Sequence, residues 1–299
     1  MEMIRPVTVD DTVLISSTAA EDDYAAWNAA TNYAVGNRVI RTTTHAVYEN
    51  LIAGVDATAP ENAPTRWVYV RPTNKYAMFD SVIGTSTSLA SPLTVVLEPG
   101  RIGGLSMFEL VGESLQIDML SSSGGSSVYS ITVDLDQTEI FSFYDYFFAE
   151  YVQRESVALT NLPTEYTDPE LTVTLTGTGT VSAGVLAVGR VFDLGRTLYG
   201  ATLRRQDFSK KTTDDFGYIS VVQRTTRKLM SSDLIIEYEY FAMLDRLMRE
   251  MQSIPAVYVA TTEDEFYDPL NVYGFVTDFR IVVQFPKYLS CNIEIEGLV

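Results

Sequence analysis

The chain has 299 residues, 46 % hydrophobic and 20 % charged, which is the composition of a folded protein with about two to three compact domains. Its 21 basic and 39 acidic residues give a net charge of −18, and a field of that sign repels nucleic-acid phosphates and anionic membranes. With one cysteine, Cys291, and one histidine, His45, the chain has almost no material for disulfides, zinc sites or catalytic triads.

This inventory predicts a protein without catalytic residues, cofactors or a nucleic-acid partner. Cys291 lies in an alternating apolar segment, residues 289–295, and is expected to be a small buried hydrophobic side chain. Acidic residues are numerous enough for an oxygen-only calcium site, although no stretch has the spacing of a helix-loop-helix calcium loop. The first residues lack the pattern of a secretion signal, and no window approaches the ~18–20 apolar residues of a membrane span. We therefore expect synthesis in a cytoplasm and no membrane insertion.

The first two segments in chain order are an extended arm and a small β module. Residues 1–20 contain two β-prone runs, and arms of this kind often lie on a neighbouring subunit. In residues 21–75, turns signalled by glycine and proline separate short strands, which indicates a small β module. Its strands are expected at 38–41, 45–51 and 66–70.

Residues 76–195 are predicted to form an all-β domain of the sandwich or jelly-roll type. Short runs alternate apolar and polar residues, and flexible tracts such as 121–127 connect them. The strands are expected at 93–98, 105–111, 114–120, 128–135, 171–175 and 181–188. An aromatic-dense run, residues 140–151, contains Phe141, Phe143, Tyr144, Tyr146, Phe147, Phe148 and Tyr151.

Residues 196–299 are predicted to form a mixed, β-rich domain with one helix. The helix is expected at 241–251, before Pro255, because one apolar stripe recurs at three- and four-residue spacings. The stripe consists of Phe241, Leu244, Leu247, Met248 and Met251. Strands are expected at 217–225, 234–238, 257–260, 273–277, 279–285 and 289–295. The alternative is that the segments on both sides of 195 share one sheet. The predicted fold class is mainly β in either case.

The most specific sequence pattern lies between Trp27 and Trp67. It reads Trp27, then Tyr33-Ala-Val-Gly36-Asn-Arg-Val39, then Tyr48, Pro60 and Trp67. This order resembles the small chitin-binding modules attached to bacterial chitinases. The resemblance implies a compact β module in which the aromatic side chains lie on adjacent strands.

Two interpretations of the module's aromatic residues are open. Flat rings suit sugar binding because the C–H faces of pyranoses are apolar, so Trp27, Tyr33, Tyr48 and Trp67 are the candidates for carbohydrate binding. Alternatively, the same side chains form the hydrophobic core, because a unit of about 50 residues has little else with which to bury apolar area. We favour the core interpretation.

Further motifs extend the similarity over most of the chain. They are residues 4–6, 21–27, 45–49, 72–80, 188–190, 194–200, 207–217 and 273–279. With these, the chain resembles a family of tailed-phage virion proteins of similar length, commonly described as carbohydrate-binding or tail structural proteins. It departs from the commoner family form at Asn74-Lys-Tyr-Ala-Met78, where an Asn-Arg-Trp-Ala-Met-type stretch is usual, and this weakens a ligand role for that segment.

The resemblance implies assembly into a virion appendage as a homo-oligomer, through interfaces with other tail, neck or baseplate proteins. The alternative is a receptor-binding protein that recognises a host surface glycan through the N-terminal module. A glycan depolymerase is a third reading, which needs two carboxylates about 5–10 Å apart. No spacing singles out such a pair among Glu113, Asp118, Asp134, Asp136 and Glu139.

One dense basic patch interrupts the acidic chain between residues 204 and 211. Its cations are Arg204, Arg205, Lys210 and Lys211. One interpretation is a docking site for an acidic neighbouring subunit. The other is a solvated loop whose charge is compensated by Asp214 and Asp215.

Overall fold

The computed structural model has a mainly β fold, which confirms the predicted fold class. The described residues are 1–82, 84–138, 140–149, 152–224, 226–260, 270–283 and 286–298. Some positions named above lie outside the described residues: Glu139, residues 150–151 of the aromatic run, residue 225 of the predicted strand 217–225, and residues 284–285 of the predicted strand 279–285.

A ten-stranded antiparallel sheet forms the body of the molecule. In spatial order its strands are β13 (Ser156–Leu159), β10 (Gly104–Phe108), β16 (Val185–Asp193), β1 (Glu2–Pro6), β22 (Ala256–Val259), β23 (Asn271–Val282), β24 (Tyr288–Gly297) and β21 (Thr226–Glu237), with β17 (Arg196–Thr197) and β18 (Thr202–Asp207) both paired to β21. Because β1 pairs with both β16 and β22, strands from both sides of position 195 belong to one sheet. The proposed boundary at 195 therefore does not separate two bodies.

The predicted N-terminal arm, residues 1–20, is extended but pairs within its own chain. Strand β1 lies in the interior of the large sheet, and β2 (Leu14–Ser17) lies at the edge of a second, five-stranded sheet. The arm therefore completes two sheets of its own subunit instead of reaching a neighbour.

The five-stranded sheet packs on the large sheet and makes a sandwich. In spatial order it contains β12 (Ser127–Asp134), β11 (Ser114–Leu120), β14 (Glu170–Thr176), β9 (Leu93–Leu97) and β2. In β14, Leu171, Val173 and Leu175 are buried and alternate with half-buried threonines, as expected for a strand with one buried face. They share one core with Leu105 and Val188 of the large sheet. A short pair, β8 (Thr87–Ala90) with β15 (Thr180–Ala183), adds Val181 and Ala183 to that core.

Helix α2 (Phe241–Glu250) packs on the large sheet beside the sandwich. Its buried stripe contains Leu244, Leu247 and Met251, which contact a cluster that includes Met3 and Tyr258. The bounds confirm the helix predicted at 241–251. Cys291 is fully buried in the same cluster, as expected for a small hydrophobic side chain, and burial raises the pKa of its thiol to about 12.

The large sheet is strongly curled toward the face that does not contact the five-stranded sheet. The rings of Phe108 and Tyr273 are stacked with centroids 6.1 Å apart, although β10 and β23 are separated by three intervening strands. In a flat sheet, strands four spacings apart would lie about 19 Å apart. The curl therefore encloses a separate cluster containing Ile4, Val257 and Tyr273.

The small module has two short sheets. One contains β4 (Arg38–Arg41), β5 (Ala46–Asn50) and β7 (Trp67–Pro72), and the other contains β3 (Asn32–Tyr33) and β6 (Gly54–Val55). The turn after β3 places Gly36 at φ +82°, a conformation that glycine adopts without steric cost. The backbone N–H of Gly36 donates to the carbonyl of Asn50 at 2.8 Å, which ties this turn to β5.

Candidate functional site

The structure places three of the four carbohydrate-binding candidates in the core of the small module. Tyr33, Tyr48 and Trp67 are buried, and only 2 % of Trp67 is accessible to solvent. The rings of Tyr33 and Trp67 meet edge to face with centroids 5.1 Å apart, a favoured arrangement for aromatic core pairs. The Tyr33 hydroxyl accepts a hydrogen bond from the Asn28 backbone N–H at 2.8 Å. These side chains hold the module together and do not offer an open ring face.

The fourth candidate, Trp27, is half-buried and packs against this core. The guanidinium of Arg41 lies over its ring, 5.0 Å from the centroid. Two hydrogen bonds, of 3.1 and 2.8 Å, join Arg41 to Glu61 and hold that guanidinium in place. Because the Arg41 guanidinium lies over the ring, Trp27 lacks the free flat surface on which a sugar would stack. The geometry therefore favours the core interpretation of all four residues.

Sequence reasoning missed a polar cluster where the module meets the body. His45 stacks on Tyr76 with ring centroids 3.7 Å apart. Its Nδ1 lies 3.1 Å from Oε1 of Glu21 and its Nε2 lies 3.3 Å from Oδ2 of Asp11. The Tyr76 hydroxyl donates to Asp11 at 2.6 Å, and this hydrogen bond is the largest cause of the lowered pKa of Asp11. The signal that could have indicated the cluster is that His45 is the only histidine of the chain.

The basic patch lies on a long β-hairpin and not in a loop. Arg204 and Arg205 belong to β18, whereas Lys210 and Lys211 belong to β19 (Lys210–Thr213), which pairs with β20 (Ile219–Val222). All four cations are exposed. The pairing of β18 with β21 is followed by the pairing of β19 with β20 after a one-residue shift in register, and the chain turns at residues 214–217, so the four strands form one irregular hairpin. We call residues 202–231 the hairpin arm.

The outer part of the hairpin arm carries exposed apolar side chains on both of its faces. Strands β19 and β20 pair only with each other among the described residues, and every residue in them is exposed. The exposed apolar side chains of this part are Phe208, Phe216, Tyr218, Ile219, Val221 and Val222. Sequence analysis identified the cations of this region but not its uncovered apolar side chains.

A second exposed apolar region is the run of residues 134–153, which we call the aromatic segment. Its root is a short two-stranded stem, in which the N–H of Arg154 donates to Leu135 at 2.8 Å and the N–H of Gln137 donates to Val152 at 2.8 Å. Above the stem lies the short helix α1 (Phe143–Phe148). Six aromatic side chains here are 67–90 % exposed: Phe141, Phe143, Tyr144, Tyr146, Phe147 and Phe148.

Three of the acidic candidates for glycan cleavage accept hydrogen bonds from nearby residues: Glu113, Asp118 and Asp136. Glu113 accepts a hydrogen bond from the N–H of Thr178 at 3.1 Å, and Asp118 accepts one from the hydroxyl of Ser130 at 2.6 Å. Asp136 accepts a hydrogen bond from Thr138, and hydrogen bonding there lowers its pKa. A general acid needs the opposite shift. These geometries do not favour the depolymerase reading.

One cleft lies outside the regions described so far. A cleft of about 990 Å³ lies between helix α2 and strands β16, β17 and β21. Its Asp193 carboxylate accepts a hydrogen bond from the N–H of Gly195 at 2.8 Å and so closes a turn. In the part of the chain that the structure describes, no group of three or more His, Cys, Asp or Glu side chains is placed to hold a metal ion. No helix there is both long and apolar enough to span a bilayer.

Comparison with known proteins adds no identification to this geometry. No protein-family model matches the chain, and no curated protein matches it. The structural evidence on function therefore comes from two uncovered apolar regions, the hairpin arm and the aromatic segment.

Proposed function

We propose that this chain is a structural component of a tailed-phage virion, in the tail, collar, baseplate or fibre attachment, where it assembles through protein–protein interfaces. The proposal combines the family resemblance of the sequence with the two exposed apolar regions. It assigns the chain no catalytic residue and no cofactor, and its place of action is the virion after synthesis in the host cytoplasm.

The observation that carries the proposal is the exposure of the aromatic segment. The six rings at residues 141–148 expose roughly 900 Å² of surface, taking about 200 Å² for a fully exposed aromatic side chain. The largest apolar patch on a typical monomer is only about 300–600 Å². Aromatic side chains are also the ones enriched at protein interfaces. An area of this size is typical of a surface that another protein covers.

Receptor binding through the module has weaker support. It requires an aromatic face open to a sugar, whereas Tyr33, Tyr48 and Trp67 are buried and Arg41 lies over Trp27. A structural role for the module needs no such face. We therefore propose that the module acts as a folded spacer or contact domain in the particle and not as a glycan receptor.

The test is to locate the chain in purified particles of the phage that encodes it. Mass spectrometry of gradient-purified particles is expected to detect the chain at a copy number that matches a symmetric position. Cryo-electron microscopy is then expected to place residues 141–148 against a neighbouring protein. The major capsid protein serves as the positive control. Absence of the chain from intact particles would overturn the proposal.

A further inference from the structure

The hairpin arm and the aromatic segment have opposite charge. Residues 202–231 hold seven basic and three acidic residues, a net charge of +4, whereas the remaining 269 residues hold 14 basic and 36 acidic residues, a net charge of −22. Residues 134–153 hold five acidic residues and no basic one. Each region therefore combines exposed apolar side chains with the charge that attracts the other.

The hairpin arm is built to be completed by a partner. An isolated two-stranded hairpin is at best marginally stable in water, and β19 and β20 have no further strand beside them among the described residues. Strand β18 is paired to β21 in the large sheet, and the part of the arm beyond it, residues 208–213 on one side, spans about 20 Å, so it extends past the sheet that forms its base. Val221 and Ile219 lie on one face, and Val222 lies on the other, so covering only one face would leave apolar surface in water.

The two regions are rooted side by side on the molecule. Lys228, at the base of the arm, interacts electrostatically with Glu155 and Glu109, which flank the stem of the aromatic segment. The curl of the large sheet explains this proximity, because β13 and β21 belong to opposite ends of the strand order. The outer parts of both regions are nevertheless exposed, so they do not cover each other within one chain.

We propose that the hairpin arm of one copy docks on the aromatic segment of a second copy of this chain. Charge complementarity selects the partner, and burial of the rings and of Phe216, Tyr218 and Ile219 supplies the association energy. The exposed area of the aromatic segment is close to the roughly 800 Å² per partner of a standard interface. The inference deepens the proposed function, on which it rests, by naming the partner of these two surfaces.

The experiment measures self-association of the purified full chain by analytical ultracentrifugation between 1 and 100 µM, taken as about the range in which such interfaces dissociate. One variant carries Lys210→Glu and Lys211→Glu in the arm, and another carries Asp136→Lys in the segment, where the Asp136 side chain is exposed. The control variant carries Arg246→Glu and Lys287→Glu, which changes the net charge of the chain as much as the arm variant does but lies elsewhere. Emission of Trp27 and Trp67, with thermal unfolding, verifies that each variant is folded.

We expect the parent chain and the control to form an oligomer, and each reversed variant to associate at least tenfold more weakly. Mixing the two reversed variants is expected to restore association. The unaltered arm of the segment variant can then dock on the unaltered segment of the arm variant. A monomeric parent chain, or an oligomer that neither reversal weakens, would overturn the inference. These results are independent of the particle experiment: an oligomer that is absent from virions would refute the proposed function and leave the interface standing.

Discussion

At the residue scale, Arg41 stabilises the small module through two contacts at once. It covers the ring of Trp27 and forms a two-point ion pair with Glu61. We expect Arg41→Ala to destabilise the module by about 1–2 kcal/mol, because a cation–π contact and a half-buried bidentate pair are lost together. Acrylamide quenching of tryptophan emission should rise, since Trp27 loses its cover. The matched control is Arg38→Ala, which removes the more exposed pair with Glu49 from the same strand and should destabilise the module less than Arg41→Ala does.

The same pair makes the effect of Arg41 depend on pH. Hydrogen bonding to Arg41 lowers the pKa of Glu61 in the folded chain. A lowered carboxyl pKa contributes stability that is present above the unfolded pKa and is lost as the pH falls through the folded value. The destabilisation by Arg41→Ala should therefore be full at pH 7 and shrink below about pH 4, the unfolded range of Glu. Urea unfolding followed by tryptophan emission, at pH 7 and below about pH 4, measures the free energy of unfolding of the parent chain and of the variant. A difference between the two proteins that does not change with pH would contradict the prediction.

His45 is held in a backbone conformation that most residues avoid. Its φ is +49°, so a residue with a Cβ pays a steric cost of about 1 kcal/mol there, whereas glycine does not. His45→Ala and His45→Gly both remove the contacts to Glu21, Asp11 and Tyr76. We therefore expect the alanine variant to be less stable than the glycine variant by about that amount. At the adjacent Thr44, whose φ is not positive, we expect the alanine variant to be more stable than the glycine variant. Thermal unfolding of the four variants measures both differences.

At the scale of elements, the contact between β1 and β16 depends on a glycine. A Cβ on Gly189 would lie 1.8 Å from the backbone oxygen of Arg5 in the neighbouring strand. We expect Gly189→Ala to destabilise the fold by about 3 kcal/mol or more, because the obstacle is backbone and the two strands must separate. The control is Gly103→Ala, whose nearest neighbour is a Thr164 methyl group at 3.1 Å that can move. Equal melting temperatures for the two variants would contradict this account.

Elements with strong local patterns could be predicted from the sequence. Strand β11 has the predicted bounds 114–120, because its apolar residues alternate with a period of two, and α2 follows its three- and four-residue spacing. Strand β1 was not placed correctly, since Glu2–Pro6 has no alternation and its partners lie far along the chain. The predicted strand 181–188 is two strands, and Gly184 between them packs against Glu109 in a space that no Cβ could share.

The candidate surfaces were predicted only in part, for a related reason. The density of aromatic residues at 140–151 and the cations at 204–211 were visible in the sequence. Whether a Phe is core or surface depends on which elements cover it, and that is a tertiary property. The charged strands β18 and β19 lack an apolar pattern, so their sequence indicates a docking site or a loop, whereas pairing with β21 and β20 makes them a hairpin.

At the scale of the whole molecule, the body should behave as one cooperative unit. The large sheet contains strands from both sides of position 195, and Met3 shares a core with Tyr258 and α2. We expect neither residues 1–195 nor residues 196–299 to fold alone, because each fragment would expose the cores that the other completes. Dispersed amide signals in nuclear magnetic resonance spectra of either isolated body fragment would contradict this, whereas residues 21–75 retain their own core and are the control.

The interior position of β1 also bears on how the chain reaches its fold during synthesis. Glu2 pairs with Asp193 on one side and with Val259 on the other, so the second neighbour of β1 exists only once synthesis has reached Val259. Such distant pairings raise the contact order and slow folding. The small module, whose contacts are local, can form early, while β1 keeps one unpaired edge that is prone to aggregation until β22 emerges. Dependence on chaperones during synthesis is the expected consequence of this sheet order.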